Sequence, residues 1–534
     1  MLKPLLLTRW LLLLLGLLVA PRLWATHIQA AEISYQKLSG TNQYKVSYRV
    51  YRDCGGASFP TSSAVLEYRQ TGCTGGPWPS VPLLLVPGTQ RIGGDYCAAL
   101  GSPCGPGLPT NYETGLFEAT LTLPPAEWTL SVTLNARPEL GNINIGSGDM
   151  YTEATLDNRN GRSNSSPVFS SSSQVVSFVG WRLPTTFSEM AVDPDGDSLV
   201  YELVAPLESC GSPMTYLPIQ SPIVEVGSTP ACYAALPTGT TYSPTWPLLS
   251  FQLTGSCPLK QAQPYFDFNP ANGSISMIPQ LFNPTVNSAQ NKNVVAVKVS
   301  EYRRLAGGSY VKVGSVRRDM LFTVVDCGTN QNPTLGPVTV NNGPAQSAGA
   351  VIPVVAGQLV QLSVGGLDGN GNQILTMSSN VEQVLPNSEL TLSPPSLHPT
   401  AQINWIPPTT LPSGLYYCTV TTTDNACPIK GVHTQTLTFR VTNNTLTAVK
   451  AAKAVTTLAA APTPFQGQVR FQLAQAGVQP VLVFDQLGRQ VAALQSSPAG
   501  EVQWRPAAGV PAGLYLARTP DGLQVARLLR TGAE

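Results

Sequence analysis

The sequence is short of charge. Lys, Arg, Asp and Glu make up only 11% of its 534 residues and leave a formal net charge of +1, whereas soluble domains usually carry about 25% charged residues. No run of Lys and Arg is long enough to track a phosphate backbone, so nucleic acid is not an expected partner. Histidine is scarcer still. His27, His398 and His433 are scattered along the chain, which leaves little material for a His-based triad or a zinc site. C-x-x-C, G-x-S-x-G and H-E-x-x-H are all missing. These absences argue against an enzyme, although a hydrolase working with two carboxylates needs none of those motifs. Beyond the first twenty or so residues, no apolar run approaches the ~20 residues that span a bilayer.

What the chain has instead is alternation. Tyr44, Val46, Tyr48 and Val50 alternate with Lys45, Ser47 and Arg49, and Val360, Leu362 and Val364 with Gln361 and Ser363. The same period of two runs through Leu437, Phe439 and Val441, and through Val469, Phe471 and Leu473. Such segments are strands with one buried face and one wet face. Turn clusters interrupt them, as at Ser39-Gly40-Thr41-Asn42, Asp195-Gly196 and Asn272-Gly273. Gly (47) and Pro (48) are abundant enough for many turns but stay below the composition of disordered chains. The expected fold class is all-β, with β-sandwiches in series.

The N-terminus reads as a secretory signal. Lys3 and Arg9 form its positive end, residues 11–20 its apolar run, and Ala25 the cleavage point. In an exported chain the ten cysteines favour disulfides. They fall into groups of four (Cys54, Cys73, Cys97, Cys104), four (Cys210, Cys232, Cys257, Cys327) and two (Cys418, Cys427). Even groups suggest bridges closed within each domain, with Cys54–Cys73 and Cys97–Cys104 favoured by proximity.

Composition sets the expected boundaries. Residues 1–25 are the signal, 26–165 a first sandwich, 166–330 a second and 331–444 a third. An Ala- and Thr-rich tether spans 445–463, and 464–534 is a small final unit. Units two and three look like a divergent repeat. Asp193-Pro-Asp195-Gly196-Asp197-Ser-Leu199 aligns with Asp368-Gly-Asn370-Gly371-Asn372-Gln-Ile374, and residues 297–301 align with 420–424.

Two resemblances rest on particular residues. Thr26-His27-Ile28, Glu32-Ile33-Ser34-Tyr35, Tyr51-Arg52-Asp53-Cys54, residues 151–169 and 193–203, Arg317-Arg318-Asp319 and Val325-Asp326-Cys327 form the first set. With residues 423–428 they resemble a family of large exported proteins of the Bacteroidota related to gliding-motility-associated proteins, whose middle unit looks cadherin-like or immunoglobulin-like. Residues 462–534 resemble a type A sorting domain of the type IX secretion system. Its marks are Asp485, Leu487, Gly488 and Arg489, then Gly513 and Tyr515, then a last basic strand with Arg527 and Arg530. The usual opening Pro-Asn-Pro is replaced by Pro462-Thr463-Pro464. The resemblance implies export to the outer-membrane surface or medium, with the secretion machinery as partner.

One cluster could hold a metal. Asp193, Asp195 and Asp197 at a turn can converge on a hard cation, and cadherin-like relatives add an acid from a later strand, here Glu301. Calcium is the ion this set would take; the other reading is an Asp-rich turn that needs none. In the third unit Asn370 and Asn372 replace two acids, which disfavours an ion there. Trp78, Trp128, Trp181, Trp246, Trp405 and Trp504 read as core before they read as sugar platforms. The expected function is a non-enzymatic adhesion or spacer protein, with a surface glycan or protein as ligand. A secreted carbohydrate-binding accessory to polymer degradation is the alternative.

Overall fold

Alternation decides which side of each strand is buried. Tyr44, Val46, Tyr48 and Val50 are at most 1% exposed, while Lys45, Ser47 and Arg49 point to the other face. A computed structural model describes residues 28–532 apart from 55–58, 60–62, 71, 94–95, 98–103, 105–111, 147, 170–174, 220–222, 229, 238, 286–287 and 444–454. The secretory signal expected over residues 1–25 and the Thr26-His27 pair lie outside the described residues. The chain is all-β and divides into two compact units, Met1–Asn444 and Thr445–Glu534.

The first unit opens with strands β1 (Ile28–Lys37), β2 (Gln43–Asp53), β3 (Ser63–Gln70), β4 (Ser80–Leu85), β5 (Arg91–Gly93), β6 (Tyr112–Thr122), β7 (Glu127–Asn135) and β8 (Asp149–Asp157). Seven of them form a sheet in the order β1-β2-β6-β4-β3-β7-β8, and β5 pairs with β6. Four later strands follow: β9 (Val176–Gly180), β10 (Ser198–Val204), β11 (Lys292–Arg304) and β12 (Tyr310–Val325). β12 pairs with β11 along one edge. Its other edge takes β8 at Gly314–Val316, β1 at Arg318 and Asp319, and β9, in parallel, at Leu321–Val325. The seven-stranded sheet therefore curls until both of its end strands reach β12.

This corrects the expected boundary between 165 and 166. The two segments share a strand and one hydrophobic core, which runs from Tyr48, Phe117 and Met150 to Val297 and Phe322. The reason is edge satisfaction. β1 and β8 would otherwise expose unpaired backbone, and the 16 residues of β12 offer edge enough for three partners. Ion pairs cross the same junction, Arg137 with Asp319 and Arg318 with Glu32. The chain at that boundary is packed, with Asn164, Ser165 and Ser166 all buried.

The proposed repeat is visible as topology. β9-β12-β11-β10 has the same order as Val351–Val355, Val432–Thr442, Gly414–Thr423 and Thr376–Ser379, each with its first strand parallel to its last. The facing sheets correspond too: Thr185–Ser188, Ser274–Met277 and Phe266–Phe268 against Val360–Leu367, Thr400–Trp405 and Ser388–Leu392. The third sandwich packs Leu362, Ile403, Trp405, Leu437 and Phe439 into its own core.

The second unit repeats the plan at smaller scale. Thr456–Leu458 runs parallel to Gln524–Arg530, which neighbours Gly513–Arg518 and then Pro480–Asp485. Its core holds Phe465, Phe471, Val483, Trp504 and Tyr515. The tether expected over 445–463 is thus shorter. Residues 444–454 lie outside the described residues, while Thr456–Leu458 and Ala460–Ala461 are strands of the sandwich. A short edge strand needs few large apolar side chains, and Leu458 alone reaches the core from this first one.

The cysteines depart furthest from expectation. The bridges are Cys54–Cys104, Cys73–Cys210, Cys97–Cys427 and Cys232–Cys257. Cys327 and Cys418 are buried free thiols. Proximity in sequence misleads because the curled sheet carries the Cys73 turn to the Cys210 hairpin beside β8, and because Cys418 is a core residue of the third sandwich. Among the described residues no helix is long and apolar enough to cross a membrane.

Candidate functional site

The acid cluster forms where the turn before β10 meets the end of β11. Asp193 Oδ1 accepts the backbone N–H groups of Asp195 (2.9 Å) and Asp197 (3.0 Å). Gly196, at φ +79°, lets the turn close. Glu301, fully buried, lies opposite Leu199 in the β10–β11 ladder. Asp193, Asp197 and Glu301 each present a carboxylate oxygen within 4.8 Å of the others. Asp195 does not join them. Its Oδ2 accepts the Ser165 N–H at 2.6 Å.

Other residues complete the site. Arg303 grips Asp197 through Nε (2.8 Å) and Nη2 (2.6 Å), lies 3.7 Å from Asp195, and donates to the Ser163 carbonyl. Asn164 Nδ2 donates to Glu301 Oε2. The Tyr35 hydroxyl donates to the Thr155 carbonyl at 2.9 Å and sits 3.3 Å from Glu301 Oε1. Gly314 is required beneath them, because a Cβ there would lie 2.9 Å from the Thr155 carbonyl oxygen and closer still to Tyr35 and Glu301. Sequence reasoning missed Tyr35, Asn164, Arg303 and Gly314. Tyr35 and Asn164 were within reach, since both stand in segments already singled out.

The electrostatics follow from burial. Desolvation pushes the Glu301 carboxyl up to about 8; Asp193 and Asp197 add to this, while hydrogen bonds from Asn164 and Tyr35 oppose it. Asp193 is pushed up to about 6, chiefly by desolvation, against the Asp197 and Asp195 amides that hold it down. Asp193 Oδ2 is buried and accepts no hydrogen bond. Three converging carboxylates, one orphaned oxygen and a single arginine suit a proton or a hard cation. The corresponding turn of the third sandwich has fewer acids. Asp368 accepts the Asn370 N–H at 2.6 Å, and Asp424 is occupied by Asn330 and by the Ala426 and Gly431 amides.

The second unit brings its predicted residues into one hairpin and one strand. Asp485 Oδ1 accepts the Leu487 and Arg489 amides, both at 2.9 Å, and Oδ2 accepts Arg489 Nε at 2.8 Å. Gly488 has φ +76°, and Leu487 is 73% exposed at the tip. Gly513 opens the strand Gly513–Arg518, in which Tyr515 is buried with its hydroxyl on the Pro511 carbonyl and its ring against Trp504. Trp128, Trp246, Trp405 and Trp504 are core residues. Trp78 and Trp181 lie beneath the Arg69 and Arg182 guanidinium groups.

A separate cavity of about 560 Å³ opens on the outer face of the curled sheet, lined by Glu32, Ser34, Ser47, Arg49, Tyr51, Arg91, Phe169 and Arg318 among others.

No protein-family model matches the chain, and no curated protein matches it. Among solved structures it is similar to dimeric latent PorU from Porphyromonas gingivalis at 12% identity, over 68% of this chain and 33% of that one, with a TM-score of 0.19. Human protocadherin-24 EC1-2 matches at 14% identity over 53% of this chain and all of that one, TM-score 0.15. The N-terminal four Ig domains of Dscam1 isoform 6.44 match at 10% identity over 94% and 99%, TM-score 0.16. At such scores the fold class rests on the chain's own strands.

Proposed function

We propose that this is an exported, non-enzymatic protein of the cell surface or medium, with an adhesive spacer body and a last unit read by type IX secretion machinery. The observation that carries this reading is the division of the chain into two compact units, the smaller closed around its own aromatic core. An address that is read and removed needs that independence from its cargo. The Asp485–Arg489 hairpin, tied by its own hydrogen bonds and presenting Leu487 outward, supports it. Four bridges among the described residues fit an oxidising, extracytoplasmic setting. Deleting 445–534 is expected to strand the protein in the periplasm, and fusing that whole unit to a periplasmic reporter to send the reporter outward. Surface display of the truncated protein would refute the sorting assignment.

We also infer that Asp193, Asp197 and Glu301 hold calcium, with the orphaned Asp193 oxygen as the favoured ligand atom. Arg303 already meets part of the charge, so binding requires Arg303 to share Asp197. The ion would lock the β10 turn to β11. Equal melting curves in calcium and in chelator, for the native chain and for Asp193→Asn, would leave only the Asp-rich turn. One observation favours the carbohydrate-binding alternative: the cavity on the curled sheet, where arginines, serines and a glutamate stand among apolar and aromatic side chains.

A further inference from the structure

The cavity on the curled sheet is floored by a row of side chains. On the sheet's outer face Arg318 of β12 stands opposite Glu32 of β1, Glu32 opposite Arg49 of β2, and Arg49 opposite Leu116 of β6. The row crosses four adjacent strands. One step along, Ser34 faces Ser47, and Arg91 of β5 pairs across to Thr114 of β6. Pro167, Val168 and Phe169 wall the other side of the 560 Å³ cavity, a volume typical of small-ligand sites.

The charges in the cavity are unequal. Three arginines line it with one glutamate. Arg318 is 2% exposed and fixed by Glu189 (2.7 Å), by Glu32 (3.0 Å) and by stacking on the Phe169 ring (4.4 Å). Glu32 is thereby committed to Arg318, and it reaches Arg49 only at 3.9 Å. Arg91 is exposed and makes no ion pair with a described residue. Two guanidinium forks thus face a preformed cavity with spare donors, above a buried charge held in place.

We propose that this cavity binds a carboxylated saccharide. Arg49 and Arg91 match the planar, bidentate geometry of a carboxylate. Ser34 supplies a donor and an acceptor for sugar hydroxyls, Ser47, whose own proton goes to Glu118 Oε1 at 2.8 Å, supplies a further acceptor, and Tyr51 offers a ring beside them. An acidic peptide fits less well. Peptides that dock on sheets add a strand to a free edge, and β1 and β2 at the floor are each paired on both sides. This inference rests on the adhesive reading of the body and names its ligand class.

The test is calorimetric titration of the full chain with trigalacturonic acid, its methyl ester, a sulfated trisaccharide and a tetraglutamate peptide. Saturable binding of the acid is expected, roughly tenfold or more tighter than the ester. Arg91→Ala and Arg49→Ala should each weaken it about tenfold, with the melting temperature of Arg91→Ala unchanged. No saturable binding, equal binding of the ester, or an unaffected Arg91→Ala would overturn the proposal. Tighter binding of the sulfated sugar overturns the carboxylate assignment, and equal binding of the peptide overturns the saccharide. A glycan and matrix array, probed in parallel, separates the two levels. Array binding without trigalacturonate binding removes the cavity and keeps the adhesive reading, whereas a blank array removes that reading.

Discussion

Cys97 and Cys427 are bonded to each other although 330 residues separate them. The contact is reinforced by the Cys97 N–H on the Pro428 carbonyl at 2.9 Å and by a strand bridge between Tyr96 and Ile429. The N-terminal curled sheet is thus clasped to the third sandwich. Non-reducing peptide mapping should recover this bridge together with Cys54–Cys104, Cys73–Cys210 and Cys232–Cys257. Replacing both partners, Cys97→Ser with Cys427→Ser, should cost about 2–4 kcal/mol of stability. A Cys97–Cys104 peptide in the map would contradict the arrangement.

Glu301 and Asp193 make stability depend on pH. Both are pushed above their ordinary range, to about 8 and about 6, first by desolvation. Acids that bind protons more tightly when folded stabilise the fold at low pH, and that contribution is lost as pH rises through the folded values. In chelator, melting temperature should therefore fall between about pH 4.5 and pH 8. Arg303, Asp197, Tyr35 and Asn164 surround these groups, and none of them reverses the sign. Glu301→Gln should flatten most of the slope, a difference on the order of a few kcal/mol across the window. A slope identical in the variant would rule Glu301 out as its source.

Trp405 anchors the third sandwich. It is fully buried, its Nε1 donates to the Pro386 carbonyl at 2.9 Å, and its ring meets Phe439 edge-on at 5.1 Å. Trp405→Ala should cost about 3–5 kcal/mol, as large aromatic deletions do. Denaturant unfolding followed by near-UV circular dichroism reads the loss.

In the small C-terminal unit, Gly488 and Gly467 offer a matched pair. An added Cβ meets nothing within 4 Å at either site, but only Gly488 has positive φ. Gly488→Ala should destabilise the unit by about 1–2 kcal/mol, and Gly467→Ala should leave it unchanged or slightly steadier. Equal effects in thermal melts would show that the hairpin does not need its left-handed residue.

How much was legible in the sequence depended on range. Alternation in Val469, Phe471 and Leu473 identified buried faces because it is a local property. The Asp193 and Asp368 turns disclosed a repeat because turn residues are set by local backbone geometry. Asp193 and Asp197 were found the same way, and Glu301 by analogy with cadherin-like relatives. Pairing between distant strands leaves no local trace. Nothing in residues 310–325 announces that they serve three neighbours on one edge, and without that fact the disulfide partners follow proximity and come out wrong. Asp195 was misassigned for a related reason: the Ser165 amide that captures it arrives from a segment thirty residues upstream.

The sharing of β12 has a consequence for the order in which the protein can be made. The chain leaves its ribosome from the N-terminus onward. The first seven-stranded sheet is complete in sequence by Asp157, yet both of its margins wait for residues 314–319. For that interval β1 and β8 offer open hydrogen-bonding edges to any passing strand. A chain built this way needs an escort, or a delay, until its three-hundred-and-nineteenth residue has emerged.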